Sequence, residues 1–356
     1  MAKIAGLHLV RIKSYSKNNR KILSWSDRAC TFERILLIRN SQDKLLHILC
    51  ESKQLVIQIV VFYNYYNHYY RLYQIPDKYH LPYKFYFGQY NAIYDSFNLS
   101  KIIFEDTTVF IPHQQMDLVH FLTQINSSRL INCNRTSARL FRKQYPNSTR
   151  TTMEQIKTYQ EIIIKFKVLL KHFHIPFFIY SGTLLGWYRQ CSLIPYTTDV
   201  DFATFSQFAS NETTERLGNK SLELAIPLIH IFGFPEHAFE NRFLTKMSID
   251  LFFLYDNIET NKLITYLHYD KSYYAFAYPL IDNLCATDYL GFKINVPCNA
   301  FDYIIADYGE NWSKPIRDGV YAPMGSNFGS ELSWPYAWHD GSFDDYLIQI
   351  RNGSGR

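Results

Sequence analysis

The spacing of apolar residues changes several times along this chain. From Thr31 to about Pro112 they fall in short runs broken by polar turns: Arg34-Ile35-Leu36-Leu37-Ile38, Leu45-Leu46-His47-Ile48-Leu49 and Gln54 to Tyr63. Short aliphatic and aromatic runs between turns predict strands, so this part reads as a β-rich accessory domain. From Phe110 to Tyr145 the spacing turns helical, with Met116, Val119, Phe121 and Leu122, and a polar linker closes it at Arg142 to Asn147. Thr152 with Gln155 three residues on predicts a capping box, and Ile156, Tyr159, Ile163, Phe166 and Leu170 form one stripe of the helix that follows. Beyond it the pattern gives a buried strand at Phe177 to Tyr180, a helix over Thr183 to Gln190, a strand at Asp199 to Phe202, then helix and turns over 205–245. A strand around Asp250, a hairpin-like stretch from Asp256 to Lys271 and a helix from Ala300 to Tyr308, stopped by Gly309, complete the order. The fold class expected is α/β (α+β), in three parts: a poorly ordered lead over 1–30, the β-rich domain over 31–145 and a larger domain over 146–350.

Candidate chemistry concentrates between Pro176 and Phe205. Ser181-Gly182 breaks the strand where a residue without a side chain lets the backbone approach a ligand, and the helix behind it aims its first amides at phosphate. In Asp199-Val200-Asp201-Phe202 the two carboxylates alternate with apolar residues, so on a strand both face one side, about 6–7 Å apart. Like charges that close repel in a half-buried setting unless a cation sits between them. Asp250, inside Ile249-Asp250-Leu251-Phe252-Phe253-Leu254, carries an isolated charge in an apolar strand, which costs several kcal/mol without a partner. Arg189 offers a fork for phosphate or a partner for the acids, and Lys246 a further phosphate neutraliser. His172 and His174 read as helix C-terminal residues favoured by the dipole, and Trp187, Tyr188 and Trp312 chiefly as packing.

Ser181-Gly182-Thr183-Leu184-Leu185-Gly186-Trp187, Arg189, Cys191, Ile194-Pro195 and Asp199-Val200-Asp201 together resemble the signature of the fukutin/LicD family. Asp250 to Tyr255, Val296-Pro297-Cys298 and Tyr308-Gly309-Glu310-Asn311-Trp312 are similar to its later motifs. The chain departs from the pattern at Ser181, where the family often has Gly, at Thr198 and at Ala203. The resemblance implies a nucleotidyltransferase-fold catalytic domain with a mixed sheet. It implies Asp199, Asp201 and Asp250 as metal ligands and catalytic residues for Mg²⁺ or Mn²⁺, with the Ser181, Gly182 and Thr183 turn on the donor phosphates, where the residue chemistry adds Arg189 and Lys246. The activity implied moves a phospho-alditol, such as ribitol phosphate, or phosphocholine from a CDP-linked donor to a glycan or glycoprotein hydroxyl. Two rivals stand beside it: a Mn²⁺-dependent glycosyltransferase using a UDP-sugar, and an inactive glycan-binding relative.

Composition narrows the setting. The net charge of +5 is small for 356 residues and the basic residues are scattered, so a nucleic-acid surface is not expected. The six cysteines show no Cys-x-x-Cys spacing, which disfavours zinc and leaves room for one or two disulfides. Asn-x-Ser/Thr sequons at Asn98, Asn126, Asn134, Asn147, Asn211, Asn219, Asn311 and Asn352 favour a lumenal protein. With the resemblance this gives the Golgi or ER lumen and membrane association through an anchor or partner, although no run reaches the ~18–20 apolar residues of a span and the N-terminal residues lack a signal-peptide core.

Overall fold

The computed structural model describes residues 34–39, 45–51, 56–60, 62–65, 67–72, 90–96, 99–104, 107–112, 124–226, 228–233, 237–240, 247–258, 260–269, 272–315 and 338–339. The expected lead over 1–30, the helical stretch at Met116 to Leu122, and Lys246 lie outside them. The chain divides into two compact units, Met1–Ile131 with Cys285–Lys293, and Asn132–Leu284 with Ile294–Arg356.

The first unit is β-rich. Strands β1 (Arg34–Arg39), β2 (Leu45–Glu51) and β3 (Val56–Val60) form one antiparallel sheet; β4 (Phe62–Tyr65), β5 (His68–Arg71) and β6 (Ala92–Asp95) form a second; β7 (Leu99–Phe104) pairs with β8 (Thr107–Pro112). Ala92, Ile93 and Tyr94 are fully buried, and Phe62 and Ile125 pack on this core. Two guanidiniums, Arg71 and Arg129, lie over the Tyr90 ring, giving that tyrosine a structural role.

The second unit opens with helix α1 (Arg135–Gln144), capped by Asn134, whose side chain accepts from the Thr136 and Ser137 amides. The boundary therefore falls ahead of this helix, whereas the sequence reading put it after Tyr145. A Cys133–Cys191 disulfide and a hydrogen bond from Arg142 Nη2 to the Gln190 carbonyl hold α1 to the later helix Ser181–Gln190. Then come α2 (Met153–His172), β9 (Phe178–Ile179), α3 (Ser181–Gln190), β10 (Asp199–Phe205), α4 (Asn211–Glu223), β11 (Leu228–Phe232), β12 (His237–Glu240), β13 (Ser248–Asn257), β14 (Lys262–Tyr269) and β15 (Ser272–Pro279). Strand β16 (Leu284–Tyr289) and the first two residues of β17 (Phe292–Pro297) belong almost entirely to the Cys285–Lys293 segment of the first unit, and the rest of β17, helix α5 (Ala300–Tyr308) and β18 (Trp338–His339) end the order of the second. The capping box forms as expected, Gln155 N–H on Thr152 Oγ1 and Thr152 N–H on Gln155 Oε1.

Eight strands make one mixed sheet, β12-β11-β13-β14-β15-β18, with β10 beside β13 and β9 beside β10. Strands β10, β13 and β11 run parallel, and their apolar residues are interrupted on one face by Asp199, Asp201, Asp250 and His230. On the other face Phe202 stacks on Phe166 of α2, ring centroids 4.4 Å apart. The opposite face meets α3 and α5. The stretch 205–245, expected as helix and turns, also contains β11 and β12. Leu228 to Phe232 is only five residues long, and period alone does not separate a strand that short from a piece of buried helix.

Candidate functional site

Parallel register builds the site. Asp201 on β10 stands opposite Asp250 on β13, and Asp250 opposite His230 on β11, so the three side chains form a row across one face. Asp199 sits two residues earlier on the same face. One oxygen from each of Asp199, Asp201 and Asp250 lies within 4.8 Å of the others. The next row on that face is aromatic: half-buried Phe232 stacks on half-buried Phe252 at 4.6 Å and buried Tyr180 packs on Phe252 at 5.0 Å, so the acids rest on an aromatic floor.

Each carboxylate is held through one oxygen. Thr197 Oγ1 donates to Asp199 Oδ1 at 2.6 Å. The Thr183 amide donates to Asp201 Oδ2 at 3.0 Å, and the Asp201 amide donates back to Thr183 Oγ1 at 2.8 Å. His230 Nδ1 donates to Asp250 Oδ1 at 3.1 Å, with Ser248 Oγ 3.5 Å from the same oxygen. Asp199 Oδ2, Asp201 Oδ1 and Asp250 Oδ2 receive no donor from another residue among those described. Further back, Tyr159 Oη donates to the Asp199 carbonyl at 2.6 Å and Gln155 Nε2 to the Pro195 carbonyl at 2.8 Å, fixing the entry to β10 from α2.

The electrostatics are those of a site built for positive charge. Burial, then the charges of Asp199 and Asp250, pushes the Asp201 carboxyl well above its ordinary value, against the opposing pull of the Thr183 amide. Burial, then the Asp250 charge, raises Asp199 too. The hydrogen bond to Asp250 raises His230. Among the described residues His230 is the one basic side chain paired with the acids, and a single imidazole cannot balance three carboxylates. A divalent cation with oxygen ligands fits this donor set, because it replaces mutual repulsion with attraction and takes up unpaired oxygens.

The phosphate turn differs in part from expectation. Gly182 leaves room for Asp201: a Cβ there would lie 3.1 Å from Asp201 Oδ2, close enough that the carboxylate would have to give by a few tenths of an ångström. The Thr183 amide, expected on donor phosphate, is instead committed to Asp201, because a buried carboxylate at a helix N-terminus takes the nearest donor. Ser181 adopts φ 41°, in the left-handed region where glycine is at ease, and its Oγ lies 3.3 Å from Tyr308 Oη of α5. Arg189 belongs to the packing: its buried guanidinium donates to the Trp312 carbonyl at 3.3 Å and lies 4.9 Å from the centre of the Phe141 ring. Burial lowers its pKa, and neither Asp199 nor Asp201 partners it. Trp312 and Tyr188 pack on each other and on Phe301. Sequence reasoning missed His230, whose signal was one polar residue amid Leu228-Ile229-His230-Ile231-Phe232. It also missed Asp307, a buried acid whose charge reaches Asp201 and whose Oδ1 accepts from Tyr278 Oη at 2.6 Å.

Comparison with known proteins adds a second line of evidence. Residues 174–299 match the LicD/FKTN/FKRP nucleotidyltransferase domain and residues 39–186 the fukutin N-terminal domain. The chain is 32% identical over 307 residues to the human ribitol-5-phosphate transferase FKTN and 32% identical over 314 residues to that of mouse. Each alignment covers 83% of this chain and 64% of the relative, so the chain spans a little under two thirds of those proteins.

Proposed function

Because the chain belongs to the fukutin/LicD family, we propose that its second unit is a metal-dependent transferase that moves a phospho-alditol from a nucleotide donor to a glycan hydroxyl. The observation that carries this is the acidic gap, where three carboxylates bring one oxygen each within 4.8 Å. Asp199, Asp201 and Asp250 would hold Mg²⁺ or Mn²⁺. A divalent ion held there would supply positive charge for the donor diphosphate and for the leaving nucleotide. The chain's own contribution is positioning, which suits a reaction that needs little covalent help. Thr197, Thr183 and His230 fix the three carboxylates, and Gly182 leaves room for Asp201. Ser181 and Tyr308 form the polar edge of the turn beside them. The names of its relatives support ribitol phosphate as the group moved; a CDP carrier is what the resemblance of the motifs implies.

The protein works, on this reading, in the Golgi or ER lumen. The Cys133–Cys191 disulfide suits an oxidising compartment. Six sequon asparagines, Asn126, Asn134, Asn147, Asn211, Asn219 and Asn311, are exposed, as glycan acceptors must be. A mobility shift on endoglycosidase treatment of the cell-expressed protein checks this; no shift and reduced cysteines would count against it.

A donor panel tests the activity. With Mn²⁺ present, CDP-ribitol is expected to raise the melting temperature of the wild type and to support transfer to a glycan acceptor. Stabilisation by UDP-sugars alone would assign a glycosyltransferase. Metal binding with no nucleotide binding would assign a glycan-binding relative.

A further inference from the structure

His230 lies outside every motif that carries the family resemblance, yet it completes the row Asp201, Asp250, His230 across three adjacent parallel strands. Its Nδ1 is 3.1 Å from Asp250 Oδ1, and its side chain is 37% exposed while that of Asp250 is 15% exposed. A carboxylate can only accept, so the proton on this bond belongs to the imidazole. The other two acids are braced in the same way, Asp199 by Thr197 and Asp201 by Thr183. Without His230, Asp250 would keep only the Ser248 hydroxyl among the described residues, at the long distance of 3.5 Å.

We propose that His230 is a positioning residue of the metal site: by occupying Asp250 Oδ1 it fixes the carboxylate and reserves Oδ2 for the cation. This rests on the reading of the three acids as metal ligands. Partners that orient ligating carboxylates typically change metal affinity about 10–100-fold when removed. A neutral amide can replace the imidazole in this role, because asparagine Nδ2 stands about where histidine Nδ1 does and donates the same bond. It cannot replace a proton acceptor or a direct nitrogen ligand.

The experiment is direct Mn²⁺ titration by calorimetry of the whole chain as wild type, His230→Ala, His230→Asn and Asp250→Asn, with thermal melting of the metal-free proteins as the fold control. His230→Ala is expected to weaken Mn²⁺ binding about 10–100-fold with little change in metal-free melting, and His230→Asn to recover most of the loss. Wild-type affinity in His230→Ala, with Asp250→Asn strongly impaired, would overturn the role of His230 and leave the metal site standing. A His230→Asn protein as weak as His230→Ala would also overturn it, because the imidazole would then act other than by donating to Asp250. Absence of Mn²⁺ binding to the wild type would remove the metal site and this inference together.

Discussion

Two buried carboxylates close to each other in the second unit, Asp201 and Asp307, meet the same penalty by opposite routes. Burial is the largest cause raising both. Asp307 stands among tyrosines: Tyr278 donates to it at 2.6 Å, and Tyr180 and Tyr303 pack on Tyr278 at 5.3 and 5.4 Å. Its carboxyl is pushed up to about 7, so near neutrality it can escape its penalty by holding a proton. Asp201 is surrounded instead by two more acids and a helix amide. Crowding acids together makes no sense for stability alone, but it does where a cation is to be received. The two acids thus differ in the company they keep and not in their burial: tyrosine donors around Asp307, two further carboxylates around Asp201.

Removing Asp201 should break the comparison most severely. Asp201→Asn is expected to abolish tight Mn²⁺ binding and to lower transfer at least about 10³-fold, since a bound metal contributes several kcal/mol at the transition state. Steady-state kinetics beside a melting curve checks this; retained turnover would leave the three acids without a catalytic role. Asp307→Asn should do the reverse, leaving metal binding intact and stabilising the fold. A carboxyl whose folded value rises from 3.8 to about 7 favours folding in its neutral form. That stability is fully present below about pH 4 and is lost as pH rises to about 7, at a cost of up to about 4 kcal/mol. The melting temperature of Asp307→Asn should therefore exceed that of the wild type by more at about pH 8 than at about pH 5.

A subtler contrast comes from pH and metal together. Asp199 and Asp201 are both raised, and protons compete with a cation for their oxygens. The rise in melting temperature on adding Mn²⁺ should thus grow from about pH 5 to about pH 8, reaching the equivalent of about 2.7 kcal/mol when the ion is at 100 times its dissociation constant. A shift that is constant across this range would place the ion elsewhere. The smallest effect is expected from Gly182→Ala, whose Cβ would crowd Asp201 Oδ2 at 3.1 Å. A displacement of a few tenths of an ångström should weaken Mn²⁺ binding about tenfold or less and leave the fold intact, as titration and melting would show.

Much of this was legible in the residues. Asp199 and Asp201 alternate with Val200 and Phe202, so one glance at strand periodicity puts both acids on one face, and Asp250 betrays itself as a charge in an apolar strand. The helix over Met153–His172 follows from its capping box and stripe. Register was not legible, because it is set by packing between strands far apart in sequence; the pairing of Asp250 with His230 depends on β11 lying beside β13. Arg189 was misjudged by counting proximity along the chain. Seven residues of helix carry it about 10 Å from Gly182 along the axis, toward the end that packs on Phe141 and Trp312. Asp307 had a readable signal that went unused, an acid on the buried stripe of α5 with Ala300, Tyr303 and Ile304.

The alternation of β13 makes the centre sensitive to parity. One extra residue inserted just ahead of Asp250 would carry its carboxylate through the sheet to the side where Phe202 meets Phe166, erasing the centre while every ligand stayed in the gene. Two extra residues would return it to the correct side, about 7 Å out of step. Insertions in this strand should therefore be harmful in either case, but for different reasons, one by inversion and the other by overshoot.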